Sequence, residues 1–104
     1  NYNDKNQIYA NLEFLKGWLS IRKFNDPKKG ISHFHKQLTL SETNSEKAKA
    51  TYWLSEAYFL SNNIEMGTFY QNKSASYLNT FYGQVSFNNC VFVFLYLLNN
   101  IKYF

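Results

Sequence analysis

Residues 43–58 read TNSEKAKATYWLSEAY, a capped helix with one apolar face. Thr43 and Glu46 make a T-x-x-E capping box, in which the Thr43 hydroxyl accepts from the Glu46 amide and the Glu46 carboxylate accepts from the Thr43 amide. A helix therefore starts near Asn44. Ala50, Trp53, Leu54, Ala57 and Tyr58 follow at three- and four-residue spacing, which is one face of a helix and not the alternation of a strand. The small alanines let a neighbouring helix come close. Asn62 and Asn63 end the element.

The same spacing continues on both sides. Upstream, Ile8, Leu12, Leu15 and Leu19, widened by Trp18 and Ile21, predict a helix over 8–24 with this stripe toward the core. Asn25, Asp26 and Pro27 stop it and start the next: Asp26 is a good N-cap, and Pro27 takes the first helical position, where its missing N–H costs nothing. A helix over 27–40 then carries Ile31, Phe34 and Leu38 on one face. Downstream, Met66, Phe69, Tyr70, Lys73 and Tyr77 predict a helix over 64–77. Leu78 and Asn79 turn the chain into a fifth helix from about Thr80, running into an apolar tail. Trp18, Phe34, Trp53, Tyr58 and Phe69 are the expected core anchors.

Sliding the chain on itself by about 35 residues lays Trp18-Leu19-Ser20 on Trp53-Leu54-Ser55, Phe24 on Phe59 and Phe34 on Phe69. That period belongs to helical-hairpin solenoids. The expected fold is all-α: two stacked hairpins of a tetratricopeptide-like, right-handed superhelix, then a C-terminal helix. Two repeats fall short of the three that usually bury a continuous core, so the chain reads as a slice of a longer array. The expected units are a helical-repeat segment over 1–84 and an apolar tail over 85–104.

Composition bounds the function. The 104 residues are one domain's worth of chain. With 20% aromatic residues there is enough apolar surface to offset chain entropy, which argues against disorder. A single cysteine, Cys90, excludes an intrachain disulfide and a cysteine-based zinc site. The net charge of +4 is mild and scattered, which favours no nucleic-acid partner. Lys28, Lys29 and Lys36, with Lys47 and Lys49, read as a solvated basic face. The N-terminal NYNDKNQ lacks the order of a secretory signal, so the chain standing alone would be cytoplasmic.

Three separated motifs add a resemblance. Residues 48–58 (AKATYWLSEAY) and 80–84 (TFYGQ), with 12–27 (LEFLKGWLSIRKFNDP) upstream, resemble the superhelical domain of soluble lytic murein transglycosylases. That family reads E-x-L-A-G-W-I-A-L-R-F-L-N-D-P, then A-x-A-x-Y-W-L-G-x-A, then Y-P-T-x-F-Y-G-Q-L-A. The matching positions are Trp18, Asp26, Pro27, Phe34, Tyr52, Trp53, Leu54, Ala57, Phe81, Tyr82, Gly83 and Gln84. Ser55 stands where the family has glycine, Leu78 where it has proline, and Val85-Ser86 where it has Leu-Ala. The resemblance implies a scaffold of bacterial cell-wall turnover in the periplasm. Its partners would be peptidoglycan glycan strands or a separate catalytic domain, and it would need no metal or cofactor. The family's lysozyme-like catalytic domain and its glutamate have no counterpart after Gln84, so the chain resembles a non-catalytic remnant of a truncated or split gene. An Asn, Lys, Tyr, Phe and Ile bias fits an AT-rich origin for such a remnant. The alternative, from the residues alone, is a free-standing helical module that binds another protein.

Few side chains offer chemistry. Glycoside cleavage needs a protonated carboxyl at the scissile oxygen, and Glu56, Glu65 and Glu13 are the candidates, each also readable as an ordinary carboxylate of the helical stack. Glu46 belongs to its cap. His33 and His35 sit two residues apart on a helix, about 200° around it, so they do not aim at one ion. Cys90 has no basic neighbour in sequence and reads as an inert buried thiol or an exposed liability. In the tail, Asn88, Asn89, Asn99 and Asn100 leave only residues 90–98 continuously apolar, too short for a membrane-crossing helix. The tail is expected to pack on the third and fourth helices, and left exposed it would drive self-association.

Overall fold

The computed structural model describes residues 4–101, the side chains of 92–94 and 96–101 excepted. The last tail residues, 102–104, lie outside the described residues. The described chain is all-helical: α1 (Asp4–Arg22), α2 (Pro27–Leu40), α3 (Asn44–Leu60), α4 (Ile64–Ala75) and α5 (Phe81–Ile101). Each helix packs on its neighbours in sequence, and α3 also meets α5. The result is a thin slab of 54 × 32 × 18 Å with a radius of gyration of 14.9 Å. A compact domain of this length would measure about 13 Å.

Local chemistry sets the helix ends. Asp26 caps α2 by accepting from the Lys29 amide at 3.2 Å, with Pro27 at the first position. Thr43 caps α3, the Glu46 amide donating to its hydroxyl at 3.2 Å. The return arm is shifted: the Glu46 carboxylate takes its tighter bond from the Glu42 amide at 2.9 Å and a longer one from Thr43 at 3.5 Å. Asn25 and Asn62 adopt left-handed φ values of 51° and 65°, a conformation that asparagine tolerates better than most residues. After Asn62, the Asn63 amide reaches back to the Tyr58 carbonyl at 2.9 Å, and its side chain caps α4.

These ends recur at a spacing different from that of the side-chain identities. Asn25 and Asn62, the caps Asp26 and Asn63, the buried Gly30 and Gly67, and the capping Thr43 and Thr80 are each 37 residues apart. The shift of about 35 is therefore corrected. Two residues on a helix amount to about 200° of rotation, so Phe69 does not occupy the place of Phe34. Phe34 is fully buried, whereas Phe69 is 55% exposed and is not a core anchor.

The core is small and close-packed. Ile21, Phe34, Leu54 and Ala57 form its centre, with Phe14, Ile31, Leu38, Trp53, Tyr58 and Tyr70 against it. Phe34 meets Phe14 and Trp53 in a triangle of rings, at centroid distances of 6.1 and 6.2 Å. It faces Gly17 of α1 so tightly that an added Cβ would lie 2.6 Å from the ring, so the α1–α2 approach requires glycine there. Trp18, expected as an anchor, is only half-buried.

The expected core stripe of α1 is also overturned. Ile8, Leu12, Leu15 and Leu19 face outward, with Ile8 58% and Leu15 52% exposed. The buried face carries Ala10, Gly17, Ser20 and Ile21 instead. Small residues are needed where two helices approach closely, and they displace the leucines to the opposite side.

Candidate functional site

The residues of the three motifs build packing. Asp26 and Pro27 start α2, which carries Phe34 into the core beside Trp53, Leu54 and Ala57 of α3. Tyr52 packs against Tyr82 of α5 at 5.1 Å with the rings tilted by 46°, tying the second motif to the third. Around this contact the rings form a continuous row: Phe14 lies 5.9 Å from Trp53, Trp53 5.4 Å from Tyr52, and Tyr82 5.2 Å from Phe81. Phe81 and Gln84 are exposed, while Gly83 is buried in the first turn of α5. There Thr80 accepts from the Gly83 amide at 2.9 Å and donates to the Tyr77 carbonyl at 2.7 Å. The Gln84 side chain donates to the Leu78 carbonyl.

Cations edge the row. Lys49 lies 3.9 Å from the centroid of Phe14, and Arg22 lies 5.7 Å from that of Trp53. Burial lowers the Lys49 ammonium below the usual lysine range, with Glu46 opposing. Lys49 is thus drawn off the expected solvated face, which Lys28, Lys29 and Lys36 keep. Burial raises the Tyr52 hydroxyl, and the Glu56 charge adds to the rise.

The candidate acids keep different company. Glu56 is half-buried beside Tyr52, Glu65 is exposed in the first turn of α4, and among the described residues no hydrogen bond joins them. Glu13 is engaged elsewhere: its carboxylate meets His33 Nδ1 at 2.7 Å and Lys16 Nζ at 3.5 Å. Burial raises the Glu13 carboxyl, but the His33 hydrogen bond and the Lys16, His33 and Lys36 charges outweigh that and hold it below the ordinary value. A general acid needs the opposite shift. A carboxyl lowered on folding stabilises the fold above its unfolded pKa, and that contribution fades as pH falls through its folded pKa. Glu13→Gln is therefore expected to lower the melting temperature at pH 6, with the gap from wild type closing as the pH is taken down through the carboxylate range. Melting curves at stepped pH check this, and a gap that does not change with pH would contradict it.

His33 and His35 engage different partners. His35 Nε2 lies 3.0 Å from the Tyr58 hydroxyl, its ring meets Tyr70 edge-on at 5.7 Å, and Tyr58 and Tyr70 stack at 5.6 Å. Burial lowers the His35 imidazole. Cys90 Sγ lies 3.5 Å from Asn72 Oδ1, and burial raises the thiol above its usual value. Among the described residues no three of His, Cys, Asp and Glu gather where an ion could sit, and no helix is long and apolar enough to cross a membrane.

Sequence reasoning missed Phe14, the pairing of Glu13 with His33, and the His35–Tyr58–Tyr70 cluster. Each joins residues on different helices, and no local spacing announces it. No protein-family model matches the chain, and neither a curated protein nor a solved structure is significantly similar to it.

Proposed function

We propose that this chain is a non-catalytic helical scaffold of the kind found in the superhelical domain of soluble lytic murein transglycosylases, acting in peptidoglycan turnover. The observation that carries the reading is the mutual packing of the matched positions: Phe34 on Trp53, and Tyr52 on Tyr82, with Arg22 of the first motif over Trp53. These residues serve shape and not bond cleavage. In this reading the two hairpins are a segment of a right-handed, tetratricopeptide-like superhelix working in the periplasm. Its partner is the glycan strand or a separate catalytic domain. The exposed lysines, within a net charge of +4, suit an anionic polymer.

Sedimentation with purified sacculi, beside muropeptide analysis of the same mixture, tests it. Co-sedimentation without anhydro-muropeptides is expected. Anhydro products abolished by Glu56→Gln would overturn the non-catalytic reading. Absence of binding would leave the second reading, a helical module for protein partners, which the outward stripe of α1 favours.

A further inference from the structure

The outward stripe of α1 has a register of its own. Ile8, Leu12, Leu15 and Leu19 are spaced by four, three and four residues, the a/d spacing of a two-helix seam, and lie within about 60° of one another around the helix. They are 58, 46, 52 and 39% exposed. The seam runs about 16 Å along α1 at 1.5 Å per residue.

The fold does not demand these residues. At the 37-residue register, the matching positions on α3 are Ser45, Lys49, Tyr52 and Glu56, none of them aliphatic. An aliphatic stripe on this face is therefore peculiar to α1 and is not a requirement of the hairpin.

Charge says what covers it. Lys16, and Lys23 just past the helix end, flank one side of the seam and are exposed. Beyond them lies a groove of about 390 Å³ lined by Tyr9, Glu13, Lys36, Thr39 and Leu40. Its one carboxylate, Glu13, is engaged by His33 and Lys16. The seam's other edge carries Arg22 at one end and Asp4 at the other. Charges flanking an apolar seam set partner choice. Two copies of α1 fit poorly: antiparallel they would bring the lysine flanks together, and parallel they would set lysine against Asn11 and Trp18, with no acid to pair.

We propose that α1 is a docking seam for an amphipathic helix of a partner protein, with aliphatic residues at a/d spacing and carboxylates along the flank that meets Lys16 and Lys23. The partner helix lies along α1 as a helix lies in a groove, its leucines between Ile8, Leu12, Leu15 and Leu19.

The probe is a 21-residue synthetic peptide with leucine at a and d and glutamate at e and g, which its own charge keeps from self-pairing at neutral pH. Its twin carries lysine at e and g. Fluorescence anisotropy with the full chain should show the glutamate peptide binding at least 10-fold more tightly than the lysine peptide. Leu15→Asp should weaken binding at least 10-fold while leaving the helical melting curve and sacculus sedimentation in place, because Leu15 is already 52% exposed and outside the core. Lys16→Glu with Lys23→Glu should invert the preference between the peptides. Equal affinity for both peptides, no binding of either, or indifference to Leu15→Asp overturns the proposal. A dimer of the chain in analytical ultracentrifugation that Leu15→Asp dissociates overturns it too, in favour of a second copy.

Discussion

Gly83→Ala should melt far below wild type. A Cβ at this position would lie 1.8 Å from the Tyr77 carbonyl oxygen and 2.7 Å from Thr80 Oγ1. The nearer obstacle is backbone, so no side-chain rotation relieves it. The carbonyl is itself fixed, accepting from the Thr80 amide at 3.1 Å and from the Thr80 hydroxyl at 2.7 Å. To admit the methyl group, the turn between α4 and α5 must open and give up these bonds together with the Tyr52–Tyr82 contact. Forced overpacking costs about 3 kcal/mol, and for a domain of this size that lowers the melting temperature by roughly 12–24 °C. A thermal scan followed by circular dichroism at 222 nm measures it. A midpoint within about 3 °C of wild type, below 1 kcal/mol, would show that the turn is looser than described.

The second large effect is expected at Phe34. The ring is fully buried, and truncating such a phenylalanine to alanine costs about 3–5 kcal/mol. Total stabilities of small domains are only about 5–15 kcal/mol, so Phe34→Ala removes between about a fifth and the whole of the chain's stability. Denaturant titration should show the midpoint fall by about a fifth or more. Gly17→Ala acts on the same contact from the other side, since its added carbon would lie 2.6 Å from the ring. Combined with Phe34→Leu, it should cost less than the two changes separately, because the methyl group enters space that the ring has vacated. Strict additivity would mean that Gly17 is required by something other than Phe34.

What was legible in the sequence was what local chemistry dictates. Asp26 with Pro27 and Thr43 with Glu46 needed only their own neighbours to start helices, and α2 and α3 begin where those residues place them. The face of α1 was not legible. Its leucines make the more hydrophobic stripe, but burial there is decided by how near α2 comes, and Gly17 and Ser20 permit an approach that leucine forbids. Residue identity misled the repeat in the same way: Trp18 and Trp53 look equivalent, while the turns and caps, which respond to backbone geometry, fix the register two residues later. As for the candidate site, the carboxylates could be named but their company could not. That Glu13 would sit beside His33, twenty residues away, follows only from the crossing of α1 and α2.

The slab in which each helix meets its sequence neighbours also bears on how the chain assembles. Contacts between adjacent helices close short loops, so little chain entropy is lost before each pair is rewarded, and folding should be fast. The fully buried Phe34 and Leu54 lie on α2 and α3, and those helices gain most from meeting early. Amides of α2 and α3 should therefore exchange with solvent last, those of α1 and the far end of α5 first, in a gradient from the centre outward. Such a chain closes like a zip from its middle and frays from its ends.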